Sequence, residues 1–204
     1  YRESSNPDVI TRCRTFGSTD YVFTINDLRE YGKYVGHHGL VMENGLPAET
    51  VVTLAQERGY VYDLVAGREV TSQIAEGRLS IPVALGPGEG KVFMVTPEPL
   101  AGVDIELPQE ATRGDTIDCR VQVLDGTGKP VAATVPVQVE ITDPAGRVAE
   151  HSGYYGAVGG QVALRLGMAP NDRPGAWRVH VRNLASGHTE DGYFRLNVAP
   201  VSGG

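Results

Sequence analysis

Cysteine is scarce. Cys13 and Cys119 are the only two in 204 residues, whereas a disulfide-framed scaffold needs many more, closely spaced. Each lies in an alternating apolar run, so both read as free thiols that pack as small hydrophobes. Aromatics make up only 7% of the chain, with one Trp, which is low for a dedicated sugar-binding surface. Basic residues never form a run, and the net charge is −7. A protein that grips nucleic-acid backbones shows a basic face, so nucleic acid is not an expected partner. No apolar run approaches the ~20 residues of a membrane-spanning helix, and no membrane insertion is expected of this stretch. The opening "YRESSNPDVI" has neither an initiator Met nor a signal-peptide pattern. It reads as a piece of a longer chain, and the rest of that chain is the first expected partner.

Glycine (26) and proline (13) are plentiful and fall between short β-rich runs. The second half alternates clearly. Ile117, Cys119, Val121 and Val123 share one face of a run, as do Val135, Val137, Val139 and Ile141 of another. The same holds for Val162, Leu164 and Leu166, for Trp177, Val179 and Val181, and for Phe194, Leu196 and Val198. Period two with one apolar face predicts half-buried antiparallel strands. Adding "VDIEL" and "RVAEHSG" gives about seven, the count of an immunoglobulin-like sandwich. Trp177 is expected as a core plug.

The first half predicts strands in "DVITRCRTF", "DYVFTIN", "ETVVTLA", "GYVYDLV", "RLSIPVAL" and "GKVFMVTP". The first two are expected to form a hairpin across "GSTD". Two further hairpins are expected to turn at Ala66-Gly67 and at Pro87-Gly88-Glu89-Gly90. "INDLREYGKYV", cut by Gly32, is expected to hold at most one short helical turn. Pro97 and Pro99 in "TPEPLAGVD" mark a domain boundary. The fold expected is therefore all-β, two tandem antiparallel β-sandwich domains over 1–99 and 100–204, the second immunoglobulin-like.

Motifs for chemistry are sparse. A glycosidase holds two carboxylates across a sugar ring on a rigid frame, and the usual barrel needs about 250 residues of alternating strand and helix. No Gly-x-Ser-x-Gly elbow is present, and "GPGEG" lacks the Lys-Ser/Thr of a phosphate loop. His37-His38, with Glu43 near, suggests a metal, but no third ligand sits at zinc-like spacing and no calcium loop occurs. His151, His180 and His188 read as surface residues. No enzyme activity, metal or cofactor is expected. The alternative partner is carbohydrate, which needs exposed aromatics with polar neighbours. Tyr31 and Tyr34 in "REYGKYVGHHG", and Tyr154 and Tyr155 in "HSGYYGAVGG", are the candidates. The segment Glu30 to Met42 is expected to be a contact loop.

"VYDLVAGREV…RLSIPVALGPGEGKVFMVTP", with "YVFTINDLREYG" upstream, resembles the accessory β-sandwich domain that follows the catalytic barrel of β-galactosidase-type glycoside hydrolases. The likeness spans roughly Val9 to Pro97. "RGDTIDCRVQVLDGTGKPV", "VQVEITDPAGR" and "RPGAWRVHVRN" resemble macroglobulin-type and other immunoglobulin-like modules of large secreted and cell-surface proteins. These resemblances imply a non-catalytic accessory or scaffold module of a larger extracytoplasmic protein, with a glycoside hydrolase as one parent. They carry over no catalytic residue.

Overall fold

A computed structural model describes residues 2–37, 39–57 and 59–198. The side chains of Tyr34, Met42 and Glu43, and all of His38, lie outside the described residues. The described chain is all strand and turn, in two compact units, Tyr1–Pro97 and Glu98–Gly204.

The first unit runs β1 (Arg2–Ser4), β2 (Val9–Phe16), β3 (Thr19–Asn26), β4 (Arg29–Gly36), β5 (Gly39–Gly45), β6 (Ala48–Leu54), β7 (Tyr60–Asp63), β8 (Arg68–Val70), β9 (Gln73–Ala75), β10 (Arg78–Leu85) and β11 (Gly90–Thr96). One sheet has the order β1-β6-β10-β9 and the other β2-β3-β11-β7-β8. Their inner faces close on a shared core. Val52, Leu54, Leu79 and Ile81 come from the first sheet, and Val22, Val61, Phe93 and Val95 from the second. The burial of alternate residues along β6 and β10 is what period-two patterning requires of a sheet with one wet face.

Two expectations for the first unit need correction, the contact loop from Glu30 to Met42 and the hairpin at Pro87–Gly90, while the bound of at most one helical turn stands. "INDLREYGKYV" holds no helix: Arg29–Gly36 is strand β4, paired with β5. The expected loop from Glu30 to Met42 is therefore mostly a hairpin. Its Tyr and Val residues favour extended backbone, and Gly32 removes what helix tendency remained. Of the two hairpins expected between Val61 and Val95, the one across Ala66-Gly67 is present, as β7–β8. The Pro87–Gly90 link instead carries the chain from β10 in one sheet to β11 in the other. The second hairpin is β9–β10, turning at Glu76 and Gly77. Both have positive φ, 51° and 70°, the pair of values that a type I′ turn demands.

The second unit runs β12 (Leu100–Glu106), β13 (Glu110–Thr112), β14 (Thr116–Asp125), β15 (Val135–Thr142), β16 (Gly153–Ala157), β17 (Gln161–Gly167), β18 (Gly175–Asn183) and β19 (Thr189–Asn197). The sheets are β12-β14-β17 and β13-β19-β18-β15-β16. Only β13 and β19 run parallel. This is a Greek-key sandwich of the immunoglobulin-like kind, in which the first strand is split between both sheets. Cys119, Val121, Val123, Val137, Val139, Val179 and Val181 are all buried in it. Trp177 is a core residue, stacked on Phe194 at 5.9 Å between centroids, with its Nε1–H donating to the Arg173 carbonyl at 2.9 Å. "RVAEHSG" forms no strand of its own, and only its last residue, Gly153, belongs to one, β16. The chain turns there on Asp143, makes one isolated bridge at Val148, and resumes as β16. Val198 lies past the end of β19 and is exposed rather than inward.

Candidate contact surfaces

The β4–β5 hairpin forms a sheet of two strands, with no third among the described residues. Its base is fixed by buried Asn26. The Asn26 carboxamide donates to the Leu46 and Gly86 carbonyls and accepts from the Leu28 N–H. The Leu46 N–H donates to the Leu28 carbonyl at 2.9 Å. Beyond that base, Tyr31 is 63% exposed, and the cross-strand neighbours Val35 and Leu40 are each more than half exposed. An isolated two-stranded ribbon gains little from its own pairing, so this one presents apolar side chains that nothing in its own sheet covers. His37 flanks its tip and is exposed; the His37-His38-Glu43 metal idea falls partly outside the described residues. Among the described residues no cluster of three metal-binding side chains occurs.

β16 is an edge strand, so its adjacent tyrosines face opposite ways. Tyr154 is 73% exposed. Tyr155 is half-buried, and its hydroxyl donates to the His151 carbonyl at 2.7 Å. Tyr154 sits across from Gln138, and Gln138 across from Arg182. Tyr154 thus ends a polar row over three strands. Tyr31 and Tyr34 belong to one unit and Tyr154 and Tyr155 to the other; Tyr154 and Tyr155, facing opposite ways, do not share a surface.

The same outer face carries a charge cluster that sequence reasoning missed. Arg178 grips Asp191 with Nε at 2.7 Å and Nη2 at 3.0 Å. His180 Nδ1 lies 2.9 Å from the same carboxylate and 3.2 Å from Arg178 Nη2. A carboxylate only accepts and a guanidinium only donates. Nδ1 therefore carries its proton toward Asp191 and takes none from Arg178. The Arg178 hydrogen bond, against some burial and helped by His180, holds the Asp191 carboxyl below the usual range. The available signal was the Arg178-x-His180 spacing on one strand face.

A cleft of about 320 Å³ opens at one end of the second sandwich. Leu166, Met168 and Trp177 form its apolar lining, and Asp143, Arg147 and His151 its polar one. Asp143 is already committed. It accepts from the Arg147 and Ala145 N–H groups and pairs with the Arg147 guanidinium at 2.6 Å. Asp63 likewise caps its own turn through the Val65 and Ala66 N–H groups. Both carboxylates hold their own loops.

No protein-family model and no curated protein matches the chain. Among solved structures it is similar to the superoxide reductase (neelaredoxin) of Ignicoccus hospitalis, at 12% identity and TM-score 0.36, over 48% of this chain and 81% of that one. It is similar to a β-glucosidase from Listeria innocua at 17% identity and TM-score 0.35, over 48% of this chain and 16% of the enzyme. It is also similar to the adhesin InvE of Yersinia pseudotuberculosis at 15% identity and TM-score 0.36, over 89% of this chain and 55% of the adhesin. The chain thus spans about a sixth of the β-glucosidase and about half of the adhesin.

Proposed function

We propose that this chain is a non-catalytic accessory module of a larger extracytoplasmic protein, with a glycoside hydrolase as one parent, and that it docks through the β4–β5 hairpin. The observation that carries this reading is the hairpin's isolation. Among the described residues its strands pair only with each other, yet Tyr31, Val35 and Leu40 face solvent. Burying a large apolar side chain is worth about 1.5–3 kcal/mol, so a partner that covers these three gains substantially. The buried polar groups Asn26, Asp63 and Asp143 support the same reading, because each stiffens a turn or loop of its own unit.

Hydrogen exchange on this chain alone and within the longer protein tests it. Docking onto the parent slows the amides of residues 29–45 by at least about tenfold, the equivalent of 1.4 kcal/mol. Equal rates in both settings would remove the proposal.

Carbohydrate binding is a second reading, favoured by one feature: exposed Tyr154 beside Gln138 and Arg182 on a flat sheet face. It predicts retention on a polysaccharide column that Tyr154→Ala abolishes.

A further inference from the structure

The outer side of the β2–β3 hairpin has a composition at odds with the rest of the chain. Ile10, Arg12, Arg14 and Phe16 alternate along β2 and all are exposed, while Val9 is buried and Thr11 and Cys13 are half-buried. The register sets Ile10 beside Ile25 and Arg12 beside Phe23. Phe16 and Ile25 are more than half exposed, and Ile10 and Phe23 about two-fifths. Directly opposed side chains lie ~5 Å apart, and alternate residues on a strand ~7 Å apart. Rings, aliphatic side chains and guanidiniums are therefore within reach of one ligand.

Charge sharpens the picture. Neither arginine meets a carboxylate among the described residues. Arg12 uses one N–H, donating from Nη1 to the Thr11 carbonyl at 2.9 Å, and Arg14 extends from the same face. Gly90 and Val92 of β11, which pair with Ile25 and Phe23, add no acid. A chain of net charge −7 thus keeps a basic, aromatic face whose arginines pair with no carboxylate among the described residues. A planar guanidinium forks a carboxylate, and flat rings beside aliphatic side chains suit the C–H faces of sugars.

We propose that this face binds a uronate-bearing polysaccharide laid across β2 and β3. Phosphate-backbone binding draws on many cationic contacts, and two arginines on a net-negative chain supply few; the Ile10–Ile25 pair also suits sugar C–H faces better than base stacking. The site is built on β2 and β3 of the first unit, from residues other than those of the β4–β5 hairpin and Tyr154, and it shares with the carbohydrate reading only the premise that a sugar is the partner.

Affinity electrophoresis of the full chain in gels containing polygalacturonate, hyaluronan or neutral dextran tests it. Retardation is expected in the first two and not in dextran. Phe23→Ala and the double variant Arg12→Ala/Arg14→Ala each weaken it by about tenfold or more, and Arg14→Lys, which keeps the charge but loses the fork, weakens it less. Tyr154→Ala and Val35→Ser/Leu40→Ser leave it unchanged, which separates this site from both surfaces above. All the substituted side chains are exposed, and melting temperatures confirm that the variants fold. No retardation in either acidic gel overturns the proposal. So does retardation that survives Arg12→Ala/Arg14→Ala, or tighter binding to oligo-dT than to the uronates.

Discussion

Asn26 holds Gly86 across the first sandwich: its Nδ2 donates to the Gly86 carbonyl at 2.8 Å, joining the end of β3 to the link between β10 and β11. The same nitrogen reaches the Leu46 carbonyl at 2.7 Å, and the Oδ1 accepts from the Leu28 N–H at 3.0 Å. One buried side chain therefore fixes both the base of the projecting hairpin and the place where the chain changes sheets.

Asn26→Ala strips partners from two carbonyls and one N–H. Leaving buried polar groups unpaired costs about 1–3 kcal/mol each, partly relieved by water. The variant is expected to lose about 3 kcal/mol in urea unfolding, with faster exchange of the amides of residues 29–45 than in the parent. A loss under about 0.5 kcal/mol would show that the side chain is not a staple.

Gly160 offers a sharper contrast. Its φ is +72°, and an added Cβ would stand 2.7 Å from both the N and O of Val131 and 2.9 Å from the Val123 carbonyl. All three are backbone atoms that cannot swing aside. Gly128 has a similar φ of +79° and open space around it. Gly128→Ala pays only the left-handed penalty of about 1 kcal/mol, whereas Gly160→Ala adds a backbone clash and is expected to lose several kcal/mol or fail to fold. Equal melting temperatures for the two variants would contradict this.

Acid sensitivity follows from Asp143. The Arg147 N–H, opposed by burial and reinforced by the Arg147 guanidinium and the Ala145 N–H, holds its carboxyl below the usual carboxylate range. A depressed folded pKa means that the contribution is present above the unfolded value, near 4. It is lost as pH falls through the folded one. Stability of the native chain therefore declines from about pH 5 downward. Asp143→Asn is less stable at pH 7 and shows a shallower decline. Parallel pH curves for the two proteins would refute the assignment.

Cys119 is fully buried, and burial pushes its thiol up to about 11. Iodoacetamide at pH 8 is expected to leave Cys119 unmodified in the folded chain and to label it only on unfolding, because the thiolate is the nucleophile. Mass spectrometry of tryptic peptides reads this directly. Native labelling at a rate matching a free thiol would show that the second core opens readily.

The sandwich architecture was written in the sequence wherever a strand has one wet face. In β14, β15 and β18 alternation places Cys119, Val137 and Val179 inward, and the structure agrees. Patterning failed where burial does not impose a face. Along β4 and β5, Tyr31, Val35 and Leu40 are exposed and mark no core face by their spacing. The strand expected in "RVAEHSG" is instead β16, starting at Gly153, because the turn on Asp143 that Arg147 closes by folding back takes up the residues before it. The sheet change after Leu85 was hidden as well, since a Pro-Gly turn serves a hairpin and a crossover alike. Among the contact residues, the opposite facing of Tyr154 and Tyr155 follows from strand geometry alone. The Arg178–Asp191 pair and the cleft below Trp177 depend on cross-strand register and loop closure, which period two does not encode.

Among the described residues, the ribbon of β4 and β5 shares no hydrogen-bond ladder with either larger sheet of its unit. Its outer residues are thus released from the packing rules that govern the rest of the chain, and mutation there can explore new chemistry at almost no risk to folding. A lineage carrying this chain could vary the outer side chains of the ribbon while both sandwiches stay as they are.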